Sequence, residues 1–363
     1  MSHRPFRVVA IWMLALLMVH QILTDAASAL AEATTYPAPQ STESVENGQE
    51  LLPAHKFTSK LALAVYARIP DGAGFQTKQL GSTSSGKSLK IPACQMWWIR
   101  PKGEDLSEVA NEVTVQQIPG LEIVSATDAD LASIKNLTSL RELHVRGSGV
   151  TDKGLENLKG MTSLQWLSLH GAPITDDGTK ILEGFPGLQT VEVEDCTKLG
   201  DGTLKHLAGL TSLQMLNLHG TQTTDSGLQN LEGLTELQSL NIHGTQVTGV
   251  GFEYLKYLPA LHALNLDSSH VTDDGLAHLK ALSHLQMLIL TDTRISDACL
   301  PHVVELTGLR ELHLQGDHVT DAGVEQLKVL TSLKKLDLTG TKISLEEIAS
   351  LQKALPDCHI TTK

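Results

Sequence analysis

Residues 213–236 read LQMLNLHGTQTTDSGLQNLEGLTE, and residues 237–260 read LQSLNIHGTQVTGVGFEYLKYLPA. Set one beneath the other, Leu213, Leu216 and Leu218 fall on Leu237, Leu240 and Ile242. The period is 24 residues, and it runs in both directions. Leu140, Leu164 and Leu188 are 24 apart, Leu213 follows after 25, and Leu237, Leu261, Leu285, Leu309 and Leu333 return to 24. That makes nine units, with one extra residue near Thr197 and Lys198. A shortened unit precedes them at Ile118, Leu121 and Ile123, and another follows at Leu355, Cys358 and Ile360. A fixed period of this length is the signature of an array of stacked units.

Each unit divides by period. The Leu216-Asn217-Leu218 core alternates, as a short strand does. A turn follows, often Gly-Thr, as at Gly220-Thr221, Gly244-Thr245 and Gly340-Thr341. Next comes a Thr-Asp start with apolar residues three apart, for example Thr151-Asp152, then Leu155 and Leu158. Asp at that position is expected to cap the first free N–H groups of its own short helix. Lys159, Lys280 and Lys328 lie near the helix ends, where a cation suits the dipole. One unit has no partner for its leucines, and stacked units share one continuous core.

The pattern L-x-x-L-x-L-x-x-(T/S/C)-x-(V/I)-T-D-x-G-L-x-x-L resembles the leucine-rich repeat family, near its cysteine-containing and ribonuclease-inhibitor-like classes. Exported bacterial proteins built of such units are similar. The resemblance covers residues 116–363. It implies an α/β solenoid, or horseshoe, with a parallel sheet on the concave face and short helices on the convex face. It also implies a column that bonds the turn backbone, held here by Ser148, Ala172, Cys196, Thr221, Thr245, Ser269, Thr293, Asp317 and Thr341. Hydroxyls can satisfy turn N–H and C=O groups. Ala172 cannot, so its unit is expected to be a weak rung.

Alternate strand residues leave the core and form columns on the inner face, with rungs roughly 4.8 Å apart. The middle column reads His144, Ser168, Glu192, Asn217, Asn241, Asn265, Ile289, His313 and Asp337. The next reads Arg146, His170, Glu194, His219, His243, Asp267, Thr291, Gln315 and Thr339. A third runs from Glu142 and Trp166 through Thr190, Met215, Ser239, Ala263 and Met287 to Glu311 and Lys335. This face is expected to bind a protein or peptide. Trp166, Met215 and Met287 are its apolar anchors, and Glu192, Glu194 and Asp195 are an acidic step. His170, Glu194, His219, His243 and Asp267 invite a metal reading, but a column holds its side chains parallel where a tetrahedral site needs convergence. No cofactor or metal is expected. His219 and His243 should repel once protonated, so binding is expected to respond to mild acid.

The other features narrow the function. The chain has 363 residues, with 41 Asp and Glu against 28 Lys and Arg, a net charge of −13. That balance argues against nucleic acid or an anionic membrane as the main partner. Residues 1–31 have the layout of a signal peptide: Arg4 and Arg7, an apolar run from Val8 to Val19, then Ala27-Ser28-Ala29 and Ala29-Leu30-Ala31. Export to the cell envelope or beyond is expected, with membrane association only if that segment stays uncleaved. Residues 32–56 read as a linker, and 57–115 as an N-terminal cap for the first repeat. Gly81 to Ser88 matches a phosphate-cradling loop letter for letter, but lacks the strand before it and the helix after it, so no nucleotide is expected. Cys94, Cys196, Cys299 and Cys358 read as buried thiols. Asn136-Leu137-Thr138 is a glycosylation sequon, meaningful only in a eukaryotic secretory pathway. No catalytic constellation emerges, so the reading is a non-enzymatic scaffold. One alternative is a glycan-binding envelope protein using the same face or Trp97 and Trp98. A minor one, from the similarity to F-box relatives, is a substrate-recognition subunit of a ubiquitin ligase; no F-box-like segment is legible for it.

Overall fold

The computed structural model describes residues 45–46, 49–71, 74–84, 86 and 88–362. The expected signal segment and linker residues 32–44 lie outside the described residues. The chain divides into two compact units, residues 1–123 and 124–363.

The first unit is mostly antiparallel sheet. Its strands are β1 (Val45–Glu46), β2 (Gln49–Glu50), β3 (His55–Thr58), β4 (Leu63–Asp71), β5 (Gly74–Thr83), β6 (Ser88–Ile91) and β7 (Met96–Pro101). β1 pairs β2, β3 pairs β6, and β4 lies between β5 and β7. The apolar stretches around Leu63 and Trp97 thus become neighbouring strands. Trp97 and Trp98 are buried, Trp97 against Phe57 at 5.2 Å and Trp98 stacked on Tyr66 at 5.7 Å. A glycan platform built on that tryptophan pair therefore loses its surface. Gly81 lies in β5 and Ser88 opens β6, so the phosphate-loop look-alike joins two strands and is not followed by a helix. The helix Leu106–Gln116, capped by Asp105, leads to β8 (Gly120–Val124), which runs parallel to β7.

The second unit is a solenoid. Ten parallel strands follow one another: β9 (Glu142–Arg146), β10 (Trp166–His170), β11 (Thr190–Glu192), β12 (Met215–Asn217), β13 (Ser239–Asn241), β14 (Ala263–Asn265), β15 (Met287–Ile289), β16 (Glu311–His313), β17 (Lys335–Asp337) and β18 (His359–Thr361). The register follows the sequence columns. Ser168 pairs with His144 and Glu192, Glu192 with Asn217, Asn217 with Asn241 and Asn241 with Asn265. The 25-residue unit is absorbed between β11 and β12 without a slip, since Thr190 pairs with Met215. Leu216, Leu240, Leu264 and Leu288 are at most 1% exposed and stack in one core. Each such side chain contributes roughly 1.5–3 kcal/mol by leaving water. Short α and 3-10 turns return each unit to the sheet, and the helix Leu345–Ala354 precedes the last strand.

The Thr-Asp-x-Gly start does something the local reading missed. Thr151, Thr175 and Thr320 are the N-cap residues, and the following Asp stands at the first helical position. That Asp does not cap its own helix. Asp152 accepts from the backbone N–H and the hydroxyl of Thr175, one rung on, both at 2.7 Å. Asp128 holds Thr151, Asp201 holds Thr224, Asp273 holds Ser296 and Asp297 holds Thr320 in the same way. The glycine of the motif makes room for this clasp. A Cβ on Gly178 would sit 2.2 Å from Asp152 Oδ1, and one on Gly154 2.1 Å from Asp128 Oδ1. The series has one gap, because Gly249 stands where Asp is expected. There Thr272 bonds the Thr248 carbonyl instead, through its N–H at 3.1 Å and its hydroxyl at 3.5 Å, and the hydroxyl oxygen accepts from Gly275 N.

The turn column is partly as expected. Thr221, Thr245 and Thr341 donate to the carbonyls of Leu218, Ile242 and Leu338 at 2.6–2.7 Å. Ala172 does not leave its rung's carbonyl bare, since the Cys196 thiol of the next rung approaches Leu169 O at 3.5 Å. Ser148 is exposed and falls outside the buried column. All four cysteines are buried and free, and burial pushes the thiols of Cys94 and Cys196 up to about 11. Such thiols are poor nucleophiles.

Candidate functional site

The outward side of the sheet carries the candidate residues, and the structure sorts them into two groups. Asn217, Asn241 and Asn265 are buried, and each turns its side-chain oxygen back on its own strand. They accept from His219 N, His243 N and Asp267 N at 2.8–3.0 Å. These asparagines hold the strand exits with their side-chain oxygens. Met287, expected as an anchor, is 1% exposed, whereas Met215 in the same column is half-buried. Trp166, His170, Glu192, Glu194, Met215, His219, His243 and Asp267 remain half-buried. They gather on β10 to β14 and the turns that follow.

This patch is an imidazole–carboxylate mosaic. His170 Nδ1 lies 3.4 Å from Glu194 and its Nε2 lies 3.9 Å from Asp195. His219 Nε2 is 3.9 Å from the other oxygen of Asp195. His243 Nδ1 is 3.3 Å from Asp267, and the His219 and His243 rings are 4.3 Å apart. Asn217 donates to Glu194 at 2.6 Å. On β9, His144 and Glu142 are joined at 2.5 Å, with Trp166 tilted against the His144 ring.

The charges follow from these contacts. The Glu194 hydrogen bond raises His170, against burial. Burial works to raise Glu194 too, but His170, His219 and Arg146 carry it below the ordinary carboxylate range. Burial beside Glu194 raises Glu192, which Ser168 and Trp166 hydrogen bond. Burial, then the neighbouring His219, lower His243 to about 4, so this imidazole stays neutral where free histidine titrates. Burial also raises Asp267. Among the described residues no group of three His, Cys, Asp or Glu is placed to hold a metal ion.

Asp195 was legible only as part of the acidic step. Its backbone is left-handed, at φ 54°, in the turn position where Gly171, Gly220, Gly244, Gly316 and Gly340 take φ 65–76°. Only glycine takes that conformation without cost, though Asp tolerates it better than most. That conformation carries Asp195 out over His170 and His219.

Comparison with known proteins agrees with the architecture. A family model described as a leucine-rich repeat region matches residues 168–362, and a second, leucine rich repeat, matches 136–159. Among solved structures the chain is similar to an internalin, inlF, of Listeria monocytogenes, at 23% identity and a TM-score of 0.54, over 71% of this chain and 76% of that one. It is also similar to the mouse RP105/MD-1 complex, at 19% identity and a TM-score of 0.49, over 65% of this chain and 45% of that one. These likenesses are ones of fold. No curated protein matches.

Proposed function

The chain belongs to the leucine-rich repeat family, and from that premise we propose that it is an exported, non-catalytic scaffold that binds a protein or peptide across the β10–β14 sheet face. Extended repeat sheets serve as binding surfaces because one rung adds one row of side chains at a fixed spacing. The observation that carries the reading is the half-buried mosaic itself. Trp166 and Met215 supply apolar area beside charges that only partly satisfy one another. A tryptophan such as Trp166, at the β10 edge of the patch, couples large contact area to few rotors. The layout of residues 1–31 supports export.

A pull-down from the secreted fraction tests this. Trp166→Ala combined with Glu194→Ala should lose at least tenfold of the recovered partner relative to the unaltered chain. Recovery of every partner at equal yield removes the sheet face from the reading. Asp177→Ala, at an exposed helix position on the opposite side, serves as the control.

A further inference from the structure

The outward strand positions from Trp166 to Asp267, with the turn residue after each, carry Glu192, Glu194, Asp195 and Asp267 and no lysine or arginine. The basic residues of this region, such as Lys180, Lys198 and Lys205, lie off the strands. Among the described residues three imidazoles, those of His170, His219 and His243, stand within 4 Å of those carboxylates. Their contacts, 3.3–3.9 Å, are longer than the 2.7–2.9 Å of a charge-assisted bond. Asp195 in particular stands about half exposed between two rings that it does not reach. At the margins Lys335 on β17 is bonded to Glu311 at 2.6 Å, and Arg146 on β9, the strand neighbour of His170, is the one fixed cation that acts on Glu194.

We propose that this stretch takes a cationic segment of the partner, a lysine- or arginine-bearing strand whose side chains reach Glu194, Asp195 and Asp267. The proposal rests on the sheet-face reading above and names the chemistry of its occupant. Charge complementarity selects that occupant. An anionic segment would meet four carboxylates with one fixed cation, Arg146, at the edge, whereas an ammonium or guanidinium would replace imidazole contacts that are long. Trp166, beside Glu192, offers an aromatic surface to the stem of the same side chain.

The histidines make the binding sensitive to acid. The groups facing them are Glu142, His144 and Arg146 on β9, Glu192, Glu194 and Asp195 from β11, and Asp267 with Asp292 beyond β13. His170 is raised, so it gains its proton first as pH falls. His243 stays neutral down to about 4. As pH falls His170, 3.4 Å from Glu194 and 3.9 Å from Asp195, becomes the competing cation, and an incoming one is displaced.

The probe is an eight-residue peptide alternating lysine and serine, with a glutamate–serine peptide as its opposite, titrated calorimetrically into the full chain. The lysine peptide should bind at pH 7.5 and the glutamate peptide should not. Affinity should fall at least fivefold at pH 5.5, and further at high salt. Asp195→Gly with Glu194→Gln should weaken it at least tenfold while the melting temperature holds, because glycine is the residue that the matching turns already use. No binding of the lysine peptide, equal binding of both peptides, or an unchanged affinity in the variant overturns the proposal. Trp166→Ala assayed against the captured partner reads the underlying face separately. If that variant loses the partner while the lysine peptide fails, the face stands and its cationic chemistry falls. If the peptide binds and the variant keeps its partner, the chemistry stands and the interface lies elsewhere.

Discussion

Asp225→Ala is expected to lower the stability of the repeat unit by about 2–3 kcal/mol, read as a drop in the urea midpoint. No other carboxylate of the clasp series takes as many donors. Its Oδ2 accepts from Thr248 N at 3.0 Å and Thr248 Oγ1 at 2.7 Å, and its Oδ1 from Gly249 N and Gly251 N at 2.9 Å. Alanine strands three backbone donors at a helix start, where no intrahelical acceptor exists for them. Asp152→Ala, which gives up two bonds, should cost about half as much. The effect also has a pH signature. Burial works to raise the Asp225 pKa, but its hydrogen bonds win and lower it. A depressed carboxylate contributes stability above its unfolded pKa of about 3.9, and that contribution is lost as pH falls through the folded value. The unaltered chain and the variant should therefore converge in strong acid and differ most at neutral pH. A midpoint that moves by less than about 0.5 kcal/mol equivalent at pH 7 would show that water replaces the clasp at no cost.

Asp317→Thr should do the opposite and stabilise the array by about 2–4 kcal/mol at pH 8. Asp317 stands in the turn column where Thr221, Thr245 and Thr341 are self-sufficient. It is 4% exposed, and one oxygen accepts from Thr293 N and Oγ1 while the other has no hydrogen-bond partner. Burial, together with the charges of Asp292 and Asp267, pushes its pKa up to about 7. Because the folded value lies above the unfolded one, the folded chain binds a proton that the unfolded chain releases between about pH 4 and 7. Stability therefore falls as pH rises through that window, and the full penalty is present above it. Threonine removes the titration and frees Thr293 to bond the Leu290 carbonyl, as its counterparts do. Asp317→Asn keeps the acceptor and should recover much of the gain. The advantage of both should fade toward pH 4. An Asp317→Thr chain no more stable than the original at pH 8 would show that the carboxylate is not strained there.

The arrangement of the sheet was legible because spacing alone determines it. Residues 24 apart stand on adjacent rungs, and even the 25-residue step carried Glu192 onto Asn217. Burial was not legible, because it depends on how closely rungs pack. Met287 and the three asparagines share columns with Trp166 and Glu192, yet they are covered. The clasp was missed for a different reason. Thr-Asp before an apolar run is a local helix start, and periodicity within one unit cannot show which rung an Asp serves. The signal available was Gly two places after Asp, repeated at Gly154, Gly178 and Gly227, where a helix has no use for glycine unless something occupies its Cβ. Of the candidate site, His219 beside His243 and His170 beside Glu194 followed from the columns. The reach of Asp195 did not, since it depends on a left-handed turn that five other units give to glycine and only Ser268 and Asp292 share with it.

Gly249 gives the solenoid a seam. On one side the grips run without interruption from Asp128 to Thr248, and on the other from Asp273 to Ser344. At the seam two rungs are joined on this flank by bonds to a single carbonyl. In a quasi-linear molecule, whose rungs lean only on their neighbours, the least-tied joint is a fracture plane. Heated or pulled, the array should part there into two blocks, each still internally zipped. Hydrogen exchange would then reach the amides of Thr272 and Gly275 before those of Thr175 or Thr320.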